Sequence, residues 1–395
     1  MKDMRHIILV LTLFSAITGM AQRKEISQAR TILKSGRNVQ QAEQLMTKLL
    51  KDSANLANKR IYELWYESVV KQYAAVNERL YLKQQQDTAE VFKLAQRMFH
   101  VAWTLDSLDA RPDKHGRIKP ELRDKNAADL EKYRANLFFG GTFHTRKGNY
   151  DQAFSLFETY LDCAHQPLFS AYRLDSTDRR IPEAAYWATY CSYRRQDPVL
   201  TLRYRHLALR DTSKAEFTLQ YMAEARRWLN DDSLYFETLR VGFDRYPQSP
   251  YFFPRLVDYY TKYKQYDQAL STANRLLAIT PNSELALYAK SNALLSLERY
   301  GESIQVSDSL IAVNDTMASA YYNAGMAYMN KALTLEPRRD KKLLKQTYQK
   351  AQRYMERYRQ LAPDQKQQWG PALYRIYLNL NLGRQFDEID RLLKD

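Results

Sequence analysis

Between Leu344 and Ala362 the apolar residues Leu344, Tyr348, Ala351, Met355, Tyr358 and Ala362 step along the chain by four and three residues in alternation. That spacing puts all six on one face of a helix. The nine Lys and Arg of 338–359, set against Asp340 and Glu356, fall mostly off that face. Elsewhere the helical pattern is punctuated by a recurring signature. Tyr150-Asp151-Gln152-Ala153 returns as Tyr266-Asp267-Gln268-Ala269 and, relaxed, as Tyr300-Gly301-Glu302-Ser303 and Phe386-Asp387-Glu388-Ile389. Such recurrence marks a repeat architecture, whose function is sought on a surface and not in a catalytic pocket.

Anchored on Tyr266 and Ala269, the register repeats every 34 residues without a gap, with starts at Pro182, Glu216, Pro250, Glu284 and Ala318. Leu137, Leu219, Phe253, Leu287 and Tyr321 stand at position 4, and Gly141, Ala223, Ser291 and Gly325 at position 8. Ala153, Ala269, Ser303 and, after an insertion, Ala351 stand at position 20, while Pro247, Pro281 and Pro363 close three units. In spacing and residue type this resembles the tetratricopeptide repeat, a helix–turn–helix unit of 34 residues. The resemblance implies an all-α fold, an α-solenoid wound as a right-handed superhelix. Small residues at 8 and 20 let the helices of a pair approach, and Pro ends the second helix for want of an N–H.

Before Pro182 the register survives with insertions. A strong unit runs from Arg134 to about Pro167, and residues 168–181 are expected as an exposed loop. A first unit spans 23–56 with its turn at Val39. A stretched second unit has one long helix through Trp65 and Tyr81 and another around Ala95, Phe99 and Ala102. Residues 110–128 are expected as a loop. The predicted organisation is a leader at 1–21, irregular helical repeats at 22–133, an array at 134–363 and a capping helix pair at 364–395.

Composition narrows this picture. The chain has 395 residues, 30 of them Tyr but only 11 Gly, which argues against β-rich folds and Gly-rich phosphate loops. Lys2, Arg5 and His6, the apolar run Ile7–Ile17, and small Gly19 and Ala21 ahead of Gln22 form the pattern of a cleaved secretory signal. The expected product is therefore exported across an inner membrane to the periplasm or outer envelope, and is not transmembrane. The formal net charge is +15. Outside the cytosol that charge points to an acidic envelope surface or acidic protein segments rather than to nucleic acid. The two cysteines, Cys163 and Cys191, fall on different helices, too far apart to bridge, so two buried thiols are expected.

No His-Glu-x-x-His, Gly-x-Ser-x-Gly or Walker-type spacing occurs, and no cofactor or metal ligand set is expected. His144, at position 11, is expected as a satisfied core residue. Asp231-Asp232 reads as a helix cap. The resemblance implies a concave groove lined by the first helices of successive units. On it would fall Phe138, Tyr186, Tyr190, Tyr193, Arg194, Arg227, Tyr288, Asn292 and Tyr322. Flat amphipathic rings with Arg and Asn between them suit a protein or peptide partner. The other reading is a glycan or peptidoglycan ligand stacked on the rings.

Overall fold

The computed structural model describes residues 22–84 and 87–394; the expected leader, residues 1–21, lies outside them. Every regular element among the described residues is helical. The chain divides into two compact units at Asn230/Asp231.

The first unit contains α1 (22–35), α2 (Val39–Leu49), α3 (Lys59–Tyr81), α4 (Thr88–Asp109), α5 (Arg123–Arg146) and α6 (Tyr150–Asp162). It continues with α7 (Leu174–Thr177), α8 (Ile181–Arg194), α9 (Pro198–Arg203), α10 (Arg205–Ala208) and α11 (Ala215–Trp228). The second unit holds α12 (Asp232–Arg245), α13 (Phe252–Lys262), α14 (Tyr266–Ile279), α15 (Glu284–Ser296), α16 (Tyr300–Val313) and α17 (Ala318–Leu333). It ends with α18 (Lys341–Leu361), α19 (Lys366–Leu380) and α20 (Gly383–Lys394). Within each unit, helices that follow one another in the chain pack together, as α5 does on α6 and α15 on α16, and a first helix also touches the second helix of the pair before it, as α15 does α14. The result is an all-α solenoid of stacked helix pairs.

The crossings are as close as the small residues allow. A Cβ on Gly141 would lie 2.6 Å from the Phe157 ring, and one on Gly325 would lie 3.0 Å from Met355 Cε. Ser303 Oγ donates to the Ser291 carbonyl at 2.9 Å, tying position 20 to position 8 across a pair. Ala153, Ala269 and Ala351 are all buried.

The turn inside each pair repeats as closely as the helices do. Gly148, Gln196, Lys264 and Glu298, each at position 15, have φ of 76°, 56°, 56° and 59°. The next amide returns to the carbonyl five residues back: Asn149 to His144 at 2.9 Å, Gln265 to Tyr260 at 2.8 Å and Arg299 to Leu294 at 2.9 Å. This is the left-handed close of a helix that satisfies its last carbonyls, and Gly148 takes it without a Cβ penalty. Second helices then start at Tyr150, Tyr266 and Tyr300.

Two insertions behave differently from each other. Residues 110–122 form a loop, and α5 begins at Arg123, earlier than expected. Residues 168–181 are not an exposed loop. They form a 3-10 turn (Pro167–Tyr172) and α7, and bury Leu168, Phe169 and Leu174 in the core. Phe169 stacks on Phe99 at 6.0 Å. Asp178 at the end of this segment accepts from Arg134 at 2.8 Å and from the Tyr160 hydroxyl at 2.5 Å. The polar sequence hid three apolar anchors.

Cys163 and Cys191 are free and buried. Burial pushes the Cys191 thiol up to about 11. On α18, Tyr348, Ala351, Met355 and Tyr358 are buried as the stripe requires.

Candidate functional site

In the first unit α5, α8 and α11 are the first helices of successive pairs and lie side by side. Helix α8 begins at Ile181 with Pro182 in its first turn, where no donor is needed and φ is pre-set. Ala184, Ala185 and Ala188 bury one face, which leaves the rings of Trp187, Tyr190 and Tyr193 half-buried along the other.

Those rings meet residues of α11 and α6 in a continuous aromatic cluster. Tyr193 stacks on Tyr221 (centroids 4.5 Å apart) and on Trp228 (5.5 Å). Tyr190 lies 5.8 Å from Tyr221, 5.8 Å from Trp187 and 6.0 Å from Tyr150. Arg194, exposed, donates to the Tyr190 hydroxyl at 2.7 Å and holds its guanidinium 4.7 Å from the Tyr150 centroid. Burial pushes the Tyr221 phenol up, and its hydrogen bond to Tyr186 and the nearby Tyr190 and Tyr193 push the same way, so it stays protonated. The cluster thus offers apolar ring area, phenolic donors and one exposed cation. That set matches peptide carbonyls and aliphatic or acidic side chains.

Not every residue expected on this surface reaches it. Phe138 is only 6% exposed, packed between Phe157 (5.7 Å) and Tyr160 (5.8 Å). The segment after α6 covers it, with Arg180 over its ring at 5.7 Å. Tyr186, also 6% exposed, lies under Tyr221 and Lys214. Both are core residues. Arg227 is exposed and pairs with Glu224 on its own helix at 2.6 Å, beside Trp228. In the second unit Tyr288 and Asn292 on α15 and Tyr322 on α17 are half-buried. There Tyr322 packs on Tyr358 at 5.1 Å, and Tyr288 rests against the Leu287–Leu310–Ala320 cluster. Tyr288 and Tyr322 thus pack within the second unit.

Trp187 and Tyr221 escaped the sequence reading, although both stand at position 6, one repeat apart. An aromatic recurring at that position was the available signal. His144 is buried as expected, edge-on to Phe143 at 5.2 Å, but it is not satisfied: its Nδ1 has no hydrogen-bond partner among the described residues. Burial pushes its pKa down, so the ring stays neutral. Among the described residues no group of three or more His, Cys, Asp or Glu could hold a metal ion. No described helix is long and apolar enough to cross a membrane.

No family model matches the sequence, and no curated protein matches it. Among solved structures, the chain is similar to the C-terminal part of a TPR repeat-containing protein from Cytophaga hutchinsonii. That match has 14% identity and a TM-score of 0.44, and covers 64% of this chain and 92% of that one. It is also similar to MamA (residue 41 to the end) from Desulfovibrio magneticus RS-1. Here the identity is 18% and the TM-score 0.29, covering 54% of this chain and 95% of that one. The architecture follows from the chain's own geometry. Helix pairs at a 34-residue period, a left-handed turn at position 15 and small residues at the crossings make it a tetratricopeptide-type α-solenoid.

Proposed function

We propose that this chain is a scaffold that holds a protein or peptide segment against the aromatic cluster of α8 and α11. The observation that carries this reading is the run of half-buried rings, Trp187, Tyr190, Tyr193, Tyr221 and Trp228, ending beside the exposed Arg194. Rings fixed by their neighbours give contact area at small entropic cost, which is how aromatic anchors dominate protein interfaces. The glycan reading has less support, because Tyr193 already spends its ring on Tyr221 and Trp228, and a stacking platform needs a free face.

Export to the periplasm or outer envelope belongs to the same proposal, and rests on the basic start and apolar run of residues 1–21. The test is a photo-crosslinking residue at Tyr193, expressed in the native host and followed by cell fractionation. A discrete crosslinked protein in the envelope fraction, lost when Tyr190→Ala is added, is the expected result. Retention on insoluble sacculi with no crosslinked protein would favour the glycan instead.

A further inference from the structure

A separate cavity in the first unit is built by α3, the later part of α4 and the start of α5. It has a volume of 450 Å³ and is walled by Tyr66, Val70, Leu105, Leu122 and Tyr133. Its size falls within the range of ordinary ligand pockets. Glu63 and Glu67 stand one turn apart on α3, Asp129 stands on α5, and Lys125 is the one cation among the lining residues. Three carboxylates against one ammonium make an acidic site in a chain whose net charge is +15. Among the described residues Glu67 and Asp129 make only i,i+4 and i,i+3 ion pairs, with Lys71 (3.7 Å) and Lys132 (3.0 Å), the kind water screens readily.

Two buried polar groups in the lining have no partner. Asn126, 5% exposed, leaves its Nδ2 unpaired, and the Tyr66 hydroxyl is likewise unpaired among the described residues. Burial pushes the Tyr66 phenol up, with Asp129 next in effect, so it stays a donor. An unpaired buried donor costs free energy that a fitting acceptor would recover. The mouth is built firmly. Asp109 accepts from Lys59 at 2.5 Å and from the Leu122 amide at 2.7 Å, and Asp106 takes a bidentate pair from Arg123 at 2.8 and 2.9 Å. These bonds hold the first turn of α5, and Asn126 with it, against the end of α4.

We propose that this pocket takes an arginine or lysine side chain of a partner polypeptide, with the cation among Glu63, Glu67 and Asp129 and a main-chain carbonyl facing Asn126 and Tyr66. The aliphatic stem would lie against Val70, Leu105 and Tyr133, as long basic side chains do against apolar walls. This rests on the reading that the partner is a polypeptide, and adds a requirement to it: a basic residue outside the aromatic contact.

The test uses fluorescence anisotropy with blocked decapeptides that differ only at a central Arg, Lys, Gln or Glu, on the full chain and its variants. The Arg and Lys peptides should bind about tenfold tighter than the Glu peptide, the scale of one charge-assisted contact. Glu63→Gln with Glu67→Gln and Asp129→Asn should erase that preference. Asn126→Leu should weaken binding severalfold while leaving the melting temperature level or higher, which a merely structural asparagine would not do. Equal binding of all four peptides, or a preference that survives the triple variant, would overturn the proposal. So would free argininamide binding as tightly as the Arg peptide. Tyr190→Ala with Tyr193→Ala, which leaves this pocket intact, separates failure here from failure of the aromatic site. If only that pair of substitutions abolishes partner crosslinking, the pocket proposal fails and the scaffold reading stands.

Discussion

Tyr193 of α8 stacks on Trp228 of α11 with ring centroids 5.5 Å apart and planes 13° from parallel. The two rings belong to first helices of successive pairs, so a contact that could have served packing alone is placed where both rings are also half-exposed. Tyr186, seven residues earlier on α8, is buried under the same neighbouring helix. One helix thus carries a structural tyrosine and two surface ones.

That difference predicts opposite phenotypes. Tyr186→Ala should cost on the order of 3 kcal/mol of stability, the scale of emptying a buried aromatic site. Tyr190→Ala and Tyr193→Ala should each cost about 1 kcal/mol, the worth of a lost aromatic pair, yet abolish partner binding. Thermal melts beside crosslinking yields would separate the two classes; equal destabilisation by all three would mean the rings only pack.

The glycines make a second contrast. A methyl on Gly141 meets the Phe157 ring at 2.6 Å, whereas one on Gly301 meets nothing within 4 Å. Gly141→Ala should therefore destabilise by about 1–3 kcal/mol, the cost of overpacking. Gly301→Ala, in the first turn of α16, should stabilise by about 0.5 kcal/mol through a less costly helix. Chemical denaturation of the two variants gives the sign of each directly.

Much of this was legible from period alone. Glu284 and Ala318 begin α15 and α17, and Tyr150, Tyr266 and Tyr300 begin second helices, because a 34-residue repeat fixes where chains must turn. What the period could not show was which side of a first helix faces solvent. That depends on neighbours outside the repeat: the 167–180 segment over Phe138, and α11 over Tyr186. The acidic pocket was hidden for a related reason. Glu63, Glu67 and Asp129 converge only because α3 is stretched and α5 starts at Arg123, and no consensus position numbers them.

The left-handed residues inside the turns carry strain that side chains other than Gly do not relieve. Lys264 and Glu298 sit at φ 56° and 59° where Gly148 occupies the equivalent place at 76°. Left-handed backbone costs an L-residue about 1 kcal/mol, which glycine largely avoids. Glu298→Gly and Lys264→Gly should each raise stability by up to about 1 kcal/mol. A drop in melting temperature for both would show that their side chains contribute more than the strain costs.

Cys163 and Cys191 should be silent in the folded protein. Both are buried, Cys191 Sγ lies 3.4 Å from Thr145 Oγ1, and burial lifts its pKa to about 11. Thiolate is the reactive form, so a thiol reagent at pH 8 should label neither residue in the native state and both in denaturant. Rapid labelling of the folded protein, or a mass gain of two hydrogens on reduction, would contradict the buried free thiols.

The Arg134–Asp178–Tyr160 cluster gives stability a defined dependence on pH. Burial by itself would push the Asp178 carboxyl up, but donation from Tyr160, the Arg180 amide and Arg134 outweighs it and holds the pKa below the ordinary carboxylate range. A group with a lowered folded pKa contributes fully above its unfolded value, about 3.9 for Asp. That contribution drains away as pH falls through the lower folded value. Melting temperature should therefore decline below about pH 4, and the 167–180 segment, which Asp178 ties to α5 and α6, should loosen with it. Asp178→Asn leaves the Arg134 guanidinium, 9% exposed, with only Glu131 as an ion-pair partner among the described residues. It should cost on the order of 3 kcal/mol at neutral pH and flatten that part of the acid decline. Proteolysis at Arg173 gives an independent readout, since the segment is held at its far end by this cluster. If Asp178→Asn melts in parallel with the parent at every pH, the cluster does not secure the insertion.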